Sequence, residues 1–238
     1  MIPFTRMLKY GSEHDYWYTN TLVAFDMGCL TGDPSTWTDY NGIPLKMGSG
    51  AAGSSSLTAY PGSPFGIGIL LKNAGVYWDV TASGFSINNF ITSDWTIDYY
   101  TCQVDAYVYN ATPHLYPLAI NAPFSAIAAA NRVLLAYGGG NRPGFVHVWN
   151  NSGAPIAYST WGTQAYYGQN IWQHHAVTYS HTDGVLKFFK DGVYQGSVLR
   201  TLVQPGTTMT ASIRTPDNAT WSAAIDRYRM RAGIHYTE

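Results

Sequence analysis

Two Asp-Gly pairs, Asp183-Gly184 and Asp191-Gly192, divide residues 171–199 into three runs rich in β-branched and aromatic residues. Asp-Gly accepts the positive φ angles of a type I′ turn, whose twist matches the strands it joins. The runs IWQHHAVTYSH, VLKFFK and VYQGSVL are therefore predicted to pair in order as a three-stranded meander. In the first, Val177 and Tyr179 alternate with Ala176 and Thr178; in the second, Phe188 stands beside Phe189. Apolar residues at both parities predict a sheet covered on both faces.

Further strand candidates are residues 21–25, 76–80, 95–109, 132–137 and 144–149, each bounded by Gly, Pro, Asn or Asp. The Asn-Asn-Ser-Gly at 150–153 is predicted to turn GFVHVW back into PIAYSTW, and the runs TMTASI and AAIDRYRM bring the total to about a dozen strands. SAIAAANRVLLA looks helical, but its β-branched tail and the following Gly138-Gly139-Gly140 favour a turn and a strand. The Gly/Ser-rich segment 47–56 lies between strand candidates and reads as an exposed loop within one domain. The expectation is an all-β domain over 1–238, with 1–15 as an N-terminal arm.

Charged residues are 11% of the chain, against roughly 25% in typical soluble domains. With a net charge of −1 there is no excess of cations to neutralise a phosphate backbone or an acidic membrane surface, so neither nucleic acid nor membrane is an expected partner. The N-terminus lacks the apolar run of a signal peptide, which predicts synthesis in a cytoplasm. On that expectation the sequons at Asn110, Asn150 and Asn218 carry little weight.

Reactive constellations are scarce. Glutamate occurs only as Glu13 and Glu238, which argues against a paired-Glu glycosidase. Asp98 and Asp105, seven positions apart in one run, fall on opposite faces about 23 Å apart at about 3.3 Å per residue. His174 and His175 point to opposite faces of a strand and cannot chelate one ion from it, so both are read as packing or solvent-facing residues. Asp26, Asp33 and Asp39 carry oxygens of the kind calcium takes, but are read as solvated loop acids, and no cofactor is expected. Cys29 and Cys102 allow one bridge at most; Cys102, in phase with Val104, Ala106 and Val108, is read as a buried free thiol.

Aromatic residues, by contrast, reach 15%. Tyr16, Trp17, Tyr18, Tyr158, Trp161, Tyr166, Tyr167 and Trp172 can fill a core, anchor a protein interface or stack on sugars. Trp161, Tyr166 and Tyr167 fall in the loop WGTQAYYGQN, where core packing explains them least, and are the candidate ligand-binding residues for a glycan or a protein partner.

Taken in chain order, several motifs resemble the laminin G-like, concanavalin A-like lectin/glucanase superfamily, particularly its versions in structural proteins of tailed bacteriophages. They are Tyr16-Trp17 with Phe25-Asp26 and Gly28; Trp37-Thr38-Asp39 before Asn41-Gly42; Phe65-Gly66 with Val76-Tyr77-Trp78; Trp95-Thr96-Ile97-Asp98; the Trp172–Tyr179 run followed by Asp191-Gly192; and Ile225-Asp226 through Tyr236-Thr237. Asp98 replaces the usual Glu, and Arg227 stands where an acidic residue is common. The resemblance implies a jelly-roll sandwich of two antiparallel sheets and binding without catalysis. It also implies a virion-surface protein, a capsid decoration or tail accessory component docked on capsid or tail proteins. The alternative is a carbohydrate-binding module that attaches the virion to host glycans. The chain's end directly after Tyr236-Thr237 suggests a free-standing protein. Self-association is a further expectation, since exposed sandwich edges need covering.

Overall fold

The computed structural model describes residues 21–49, 56–79, 93–104, 115–120, 133–137, 145–149, 155–160, 170–199, 210–215 and 222–237. They form fifteen strands and two short 3-10 turns (Met27–Leu30 and Pro34–Thr36), an all-β architecture. The eight-stranded sheet contains β1 (Val23–Phe25), β3 (Ser56–Ser63), β4 (Gly66–Lys72), β6 (Trp95–Gln103), β11 (Trp172–Ser180), β12 (Val185–Lys190), β13 (Val193–Leu199) and β15 (Ser222–Ala232). The seven-stranded sheet contains β2 (Leu45–Ser49), β5 (Ala74–Asp79), β7 (Leu115–Ile120), β8 (Val133–Tyr137), β9 (Phe145–Trp149), β10 (Pro155–Thr160) and β14 (Thr210–Arg214). Every ladder is antiparallel.

The meander forms as the sequence predicts: β11, β12 and β13 pair in order. Asp191 (φ 49°) and Gly192 (φ 77°) make the two-residue turn between Lys190 and Val193, both in the left-handed region. The first Asp-Gly pair differs. Ser180 pairs with Val185 across a four-residue loop in which only Gly184 has positive φ, and its N–H bonds to the His181 carbonyl. Asp183 is instead occupied by the Ser180 hydroxyl at 2.9 Å. Phe188 and Phe189 are both buried. Phe188 belongs to the core, while Phe189 is covered by Tyr194 and Tyr236 at 5.8 and 5.6 Å between ring centroids.

One core cluster joins the two sheets. At its centre Phe25 stacks on Tyr228 at 5.0 Å and meets Trp78 at 5.9 Å, so strands of both sheets share one aromatic contact. The Gly/Ser-rich stretch ends in β2 on one side and β3 on the other, and so carries the chain from one sheet to its partner. β4 and β5, although separated by one residue, are likewise in different sheets.

A bulge in β15 sets the chemistry of the outer face. Asp226 opposes Tyr100 and Arg229 opposes Asp98, so one extra residue is accommodated, with Arg227 at φ 49°. Before the bulge Ala223 and Ile225 point into the core; after it Tyr228 and Met230 do. Strict alternation would have aimed Arg227 and Arg229 inward. The bulge also divides the strand's free edge: residues 222–225 pair with β4 and residues 228–230 pair with β1. The start of β4, before Ile69, is thereby released from β15, and the β3–β4 tip folds over the outer face.

Candidate binding face

Under that tip, Ser63 donates its hydroxyl to Asp226 Oδ2, and the Arg227 N–H bonds to Oδ1 at 2.8 Å. Phe65 is held between the Arg227 guanidinium, 3.4 Å from its centroid, and Tyr100, which it meets edge-on at 4.8 Å. From Tyr100 a row of rings continues through His174 (5.0 Å), Tyr236 (5.7 Å), Phe189 (5.6 Å) and Tyr194 (5.8 Å). The row crosses the outer face from β6 to the edge of β13. Tyr236 reaches it because the C-terminal segment folds back: Gly233 donates to the Asp94 carbonyl, and Thr96 Oγ1 bridges Gly233 and His235.

Beneath the rings lies a charged cluster. Asp98, with no solvent exposure, accepts from Arg229 Nε at 2.5 Å and Arg231 Nη2 at 2.7 Å. Burial lifts the Asp226 carboxyl to about 6, against the opposing pull of its Ser63 and Arg227 bonds. Burial and the nearby Asp98 charge push the Tyr100 phenol up to about 12. Burial lowers His174, and lowers His175 further. The two histidines diverge as strand alternation predicts. His174 joins the outer row and His175 stacks on Tyr99 at 5.9 Å, toward the core.

Beside this row, Trp172 and Tyr60 meet at 6.2 Å and 54°. The indole lies against Gly68, where a Cβ would fall 2.4 Å from its Cη2 atom. Cys102, opposite Trp172 in the ladder, is buried and free. Its parity is that of Tyr100, so it is sealed on the outer face of the sheet instead of in the central core.

The three N-terminal aspartates are structural. Asp39 is buried and receives the backbone N–H groups of Ala24, Asn41 and Ile43, which corrects its reading as a solvated acid. Asp26 accepts from Gly28 N–H and from Tyr40 Oη, and Asp33 caps the second 3-10 turn through Ser35 N–H. Among the described residues no group of three metal-ligating side chains is present, and no helix is long and apolar enough to cross a membrane. Trp161, Tyr166, Tyr167 and Asp105 lie outside the described residues. The sequence reading missed Tyr60, Ser63 and Phe65, whose signal is the Gly/Pro punctuation of PGSPFG.

No family model matches the chain, and no curated protein matches it. Solved structures do. Domain 4 of AbnA, a GH43 extracellular arabinanase from Geobacillus stearothermophilus, in complex with arabinotriose, superposes with TM-score 0.59 at 14% identity, over 90% of this chain and 93% of that one. The binding domain of Paraclostridial Mosquitocidal Protein 1 gives TM-score 0.59 at 13% identity over 91% of this chain, which spans about half (49%) of the toxin chain. A conserved carbohydrate esterase of the Shiga toxin-encoding bacteriophage phi24B gives 0.53 at 12% identity, over 90% and 99%. At these identities the likeness establishes the β-sandwich fold alone.

Proposed function

We propose that this chain is a non-catalytic binding module of a bacteriophage particle, displayed on the virion surface, whose eight-stranded sheet recognises a saccharide on its outer face. The observation that carries this reading is the set of partly exposed rings on that face, Tyr60, Phe65, Tyr100, Trp172 and Tyr194, beside the ion-paired Asp98. Flat rings offer area to the C–H faces of sugars at low entropic cost, and a few convergent polar groups supply direction. The same arrangement argues against hydrolysis. Asp98 is neutralised by two arginines and Asp226 is engaged by Ser63, so neither is presented as an acid or base to a glycosidic bond. Domain 4 of AbnA, of like fold, is described in complex with arabinotriose, and the phage phi24B protein of like fold is described as a carbohydrate esterase; a carbohydrate ligand is common to both descriptions and supports the saccharide part of this reading.

A second reading, docking onto capsid or tail proteins as a decoration or tail accessory component, is favoured by a different observation. Val193, Leu199 and Ile171 are 57%, 70% and 55% exposed, and Val193 and Leu199 belong to the edge strand β13, whose outer backbone groups a partner strand can pair. Immobilised protein exposed first to purified host envelope polysaccharide and then to disrupted virions separates the two. Retention of polysaccharide supports the saccharide reading; stoichiometric retention of a capsid or tail protein with no polysaccharide replaces it with the second.

A further inference from the structure

We infer that Trp172, Tyr60 and Asn170 form the contact subsite of this face, and that the ligand they take is a neutral saccharide. The inference rests on the saccharide reading above and narrows it.

The subsite is assembled from opposite parts of the sheet. Trp172 opens β11, whereas Tyr60 belongs to β3, with β4, β15 and β6 lying between them in the strand order. At about 4.8 Å per strand a flat sheet would hold β3 and β11 roughly 19 Å apart. The rings meet at 6.2 Å because the β3–β4 tip, released at the β15 bulge, folds across the face. Two glycines make the seat. Gly68 leaves room for the indole's six-membered ring, and at Gly62, φ 86°, a Cβ would fall 3.8 Å from its Nε1. Tyr60 Oη donates to Asn170 Oδ1 at 3.4 Å, and Asn170, at φ 59°, is anchored by its N–H to the Gln103 carbonyl at 2.8 Å. Both rings remain partly exposed.

The chemistry follows from what surrounds the rings. The indole and phenol stand at 54°, so a sugar ring stacked on one is flanked by the other. The Asn170 side-chain NH2 supplies donors, and the Tyr60 oxygen, its hydrogen given to Asn170, supplies an acceptor for sugar hydroxyls. Tyr60, Gly62 and Gly68, which stand against the indole, and Asn170, which holds Tyr60, are all uncharged, whereas Asp98, Arg227, Arg229 and Arg231 lie along the neighbouring ring row. An acidic sugar would find no counter-charge among them; a neutral one needs none.

The test is titration calorimetry of the full chain with neutral oligosaccharides (arabinotriose, xylotriose, maltotriose) and with trigalacturonate. It is repeated on W172A, Y60A, the ring-retaining Y60F and G68A, each checked for a single cooperative thermal unfolding transition. Saturable binding of a neutral trisaccharide is expected, weakened at least tenfold in W172A and severalfold in Y60F. G68A is expected to weaken it comparably to W172A without removing a ring, because its methyl would fall 2.4 Å from the indole Cη2 and 2.8 Å from the Ile225 carbonyl and cannot be seated without displacing both. If the neutral saccharide binds and W172A, Y60F and G68A all stay within twofold, the subsite is elsewhere and the saccharide reading survives. If only trigalacturonate binds, the ligand class is wrong. If the wild-type chain binds none of them, the saccharide reading itself fails.

Discussion

Arg229 Nε donates to Asp98 Oδ1 at 2.5 Å across neighbouring strands, while Arg231 holds the other carboxylate oxygen at 2.7 Å. Both arginines reach the outer face only because the β15 bulge shifts their phase. Removing the carboxylate takes away the fully buried acceptor that the two guanidinium groups share. Asp98→Ala is predicted to lower unfolding free energy by roughly 3–5 kcal/mol, measured by urea denaturation. A loss below about 1 kcal/mol would show that the cluster is hydrated and not buried.

Asp226 makes stability depend on pH. Its carboxyl is lifted to about 6 by burial, above the roughly 3.9 of an unfolded chain. The folded state therefore holds the proton more tightly. The contribution is complete below about pH 4 and is lost as pH rises through 6, by roughly 3 kcal/mol. Buried His174 and His175 act in the opposite sense, with folded-state affinity for protons lowered, so their contribution is lost as pH falls below about 6.5. They are common to the wild type and D226N, so the difference between the two proteins isolates Asp226. D226N should gain on the wild type by roughly that amount between pH 4 and pH 8 in paired denaturation curves. A difference independent of pH would contradict the assignment.

Both thiols are protected. Burial pushes Cys29 up to about 12 and raises Cys102 as well, so thiolate is scarce in the native state. At pH 8 a disulfide reagent is expected to react slowly with the folded protein, and to titrate two thiols promptly in guanidinium. Fast reaction of one thiol before unfolding would show local opening around it.

Phe25 ties the two sheets together through Tyr228 and Trp78. Phe25→Ala removes a fully buried ring and should cost about 3–5 kcal/mol. Thermal unfolding should remain a single transition. Separate transitions for the two sheets would contradict a shared core.

Much of the fold is written in local signals. Asp191-Gly192 adopts the turn its two left-handed residues demand, and the apolar residues at both parities of β11 and β12 are buried on both faces. Asp183-Gly184 carries the same dipeptide, yet the Ser180 hydroxyl takes the Asp183 side chain and the turn widens to four residues. The face described here was not legible, because its geometry depends on Arg227. One residue inserted into β15 reverses the phase of everything after it, and neither charge nor hydropathy marks that position. The meeting of Tyr60 and Trp172, 112 positions apart, likewise follows from where β1 displaces β4, a tertiary event.

The central claim is that the outer face of the eight-stranded sheet binds saccharide without cleaving it. Its most direct test is incubation of the purified chain with a panel of neutral oligosaccharides, reading hydrogen exchange on the protein and the recovered ligand by mass spectrometry. Slowed exchange is expected in residues 56–72 and 170–176, with the oligosaccharide recovered intact. Protection confined to β5 and β14 of the seven-stranded sheet, or shortened oligosaccharide products, would contradict it.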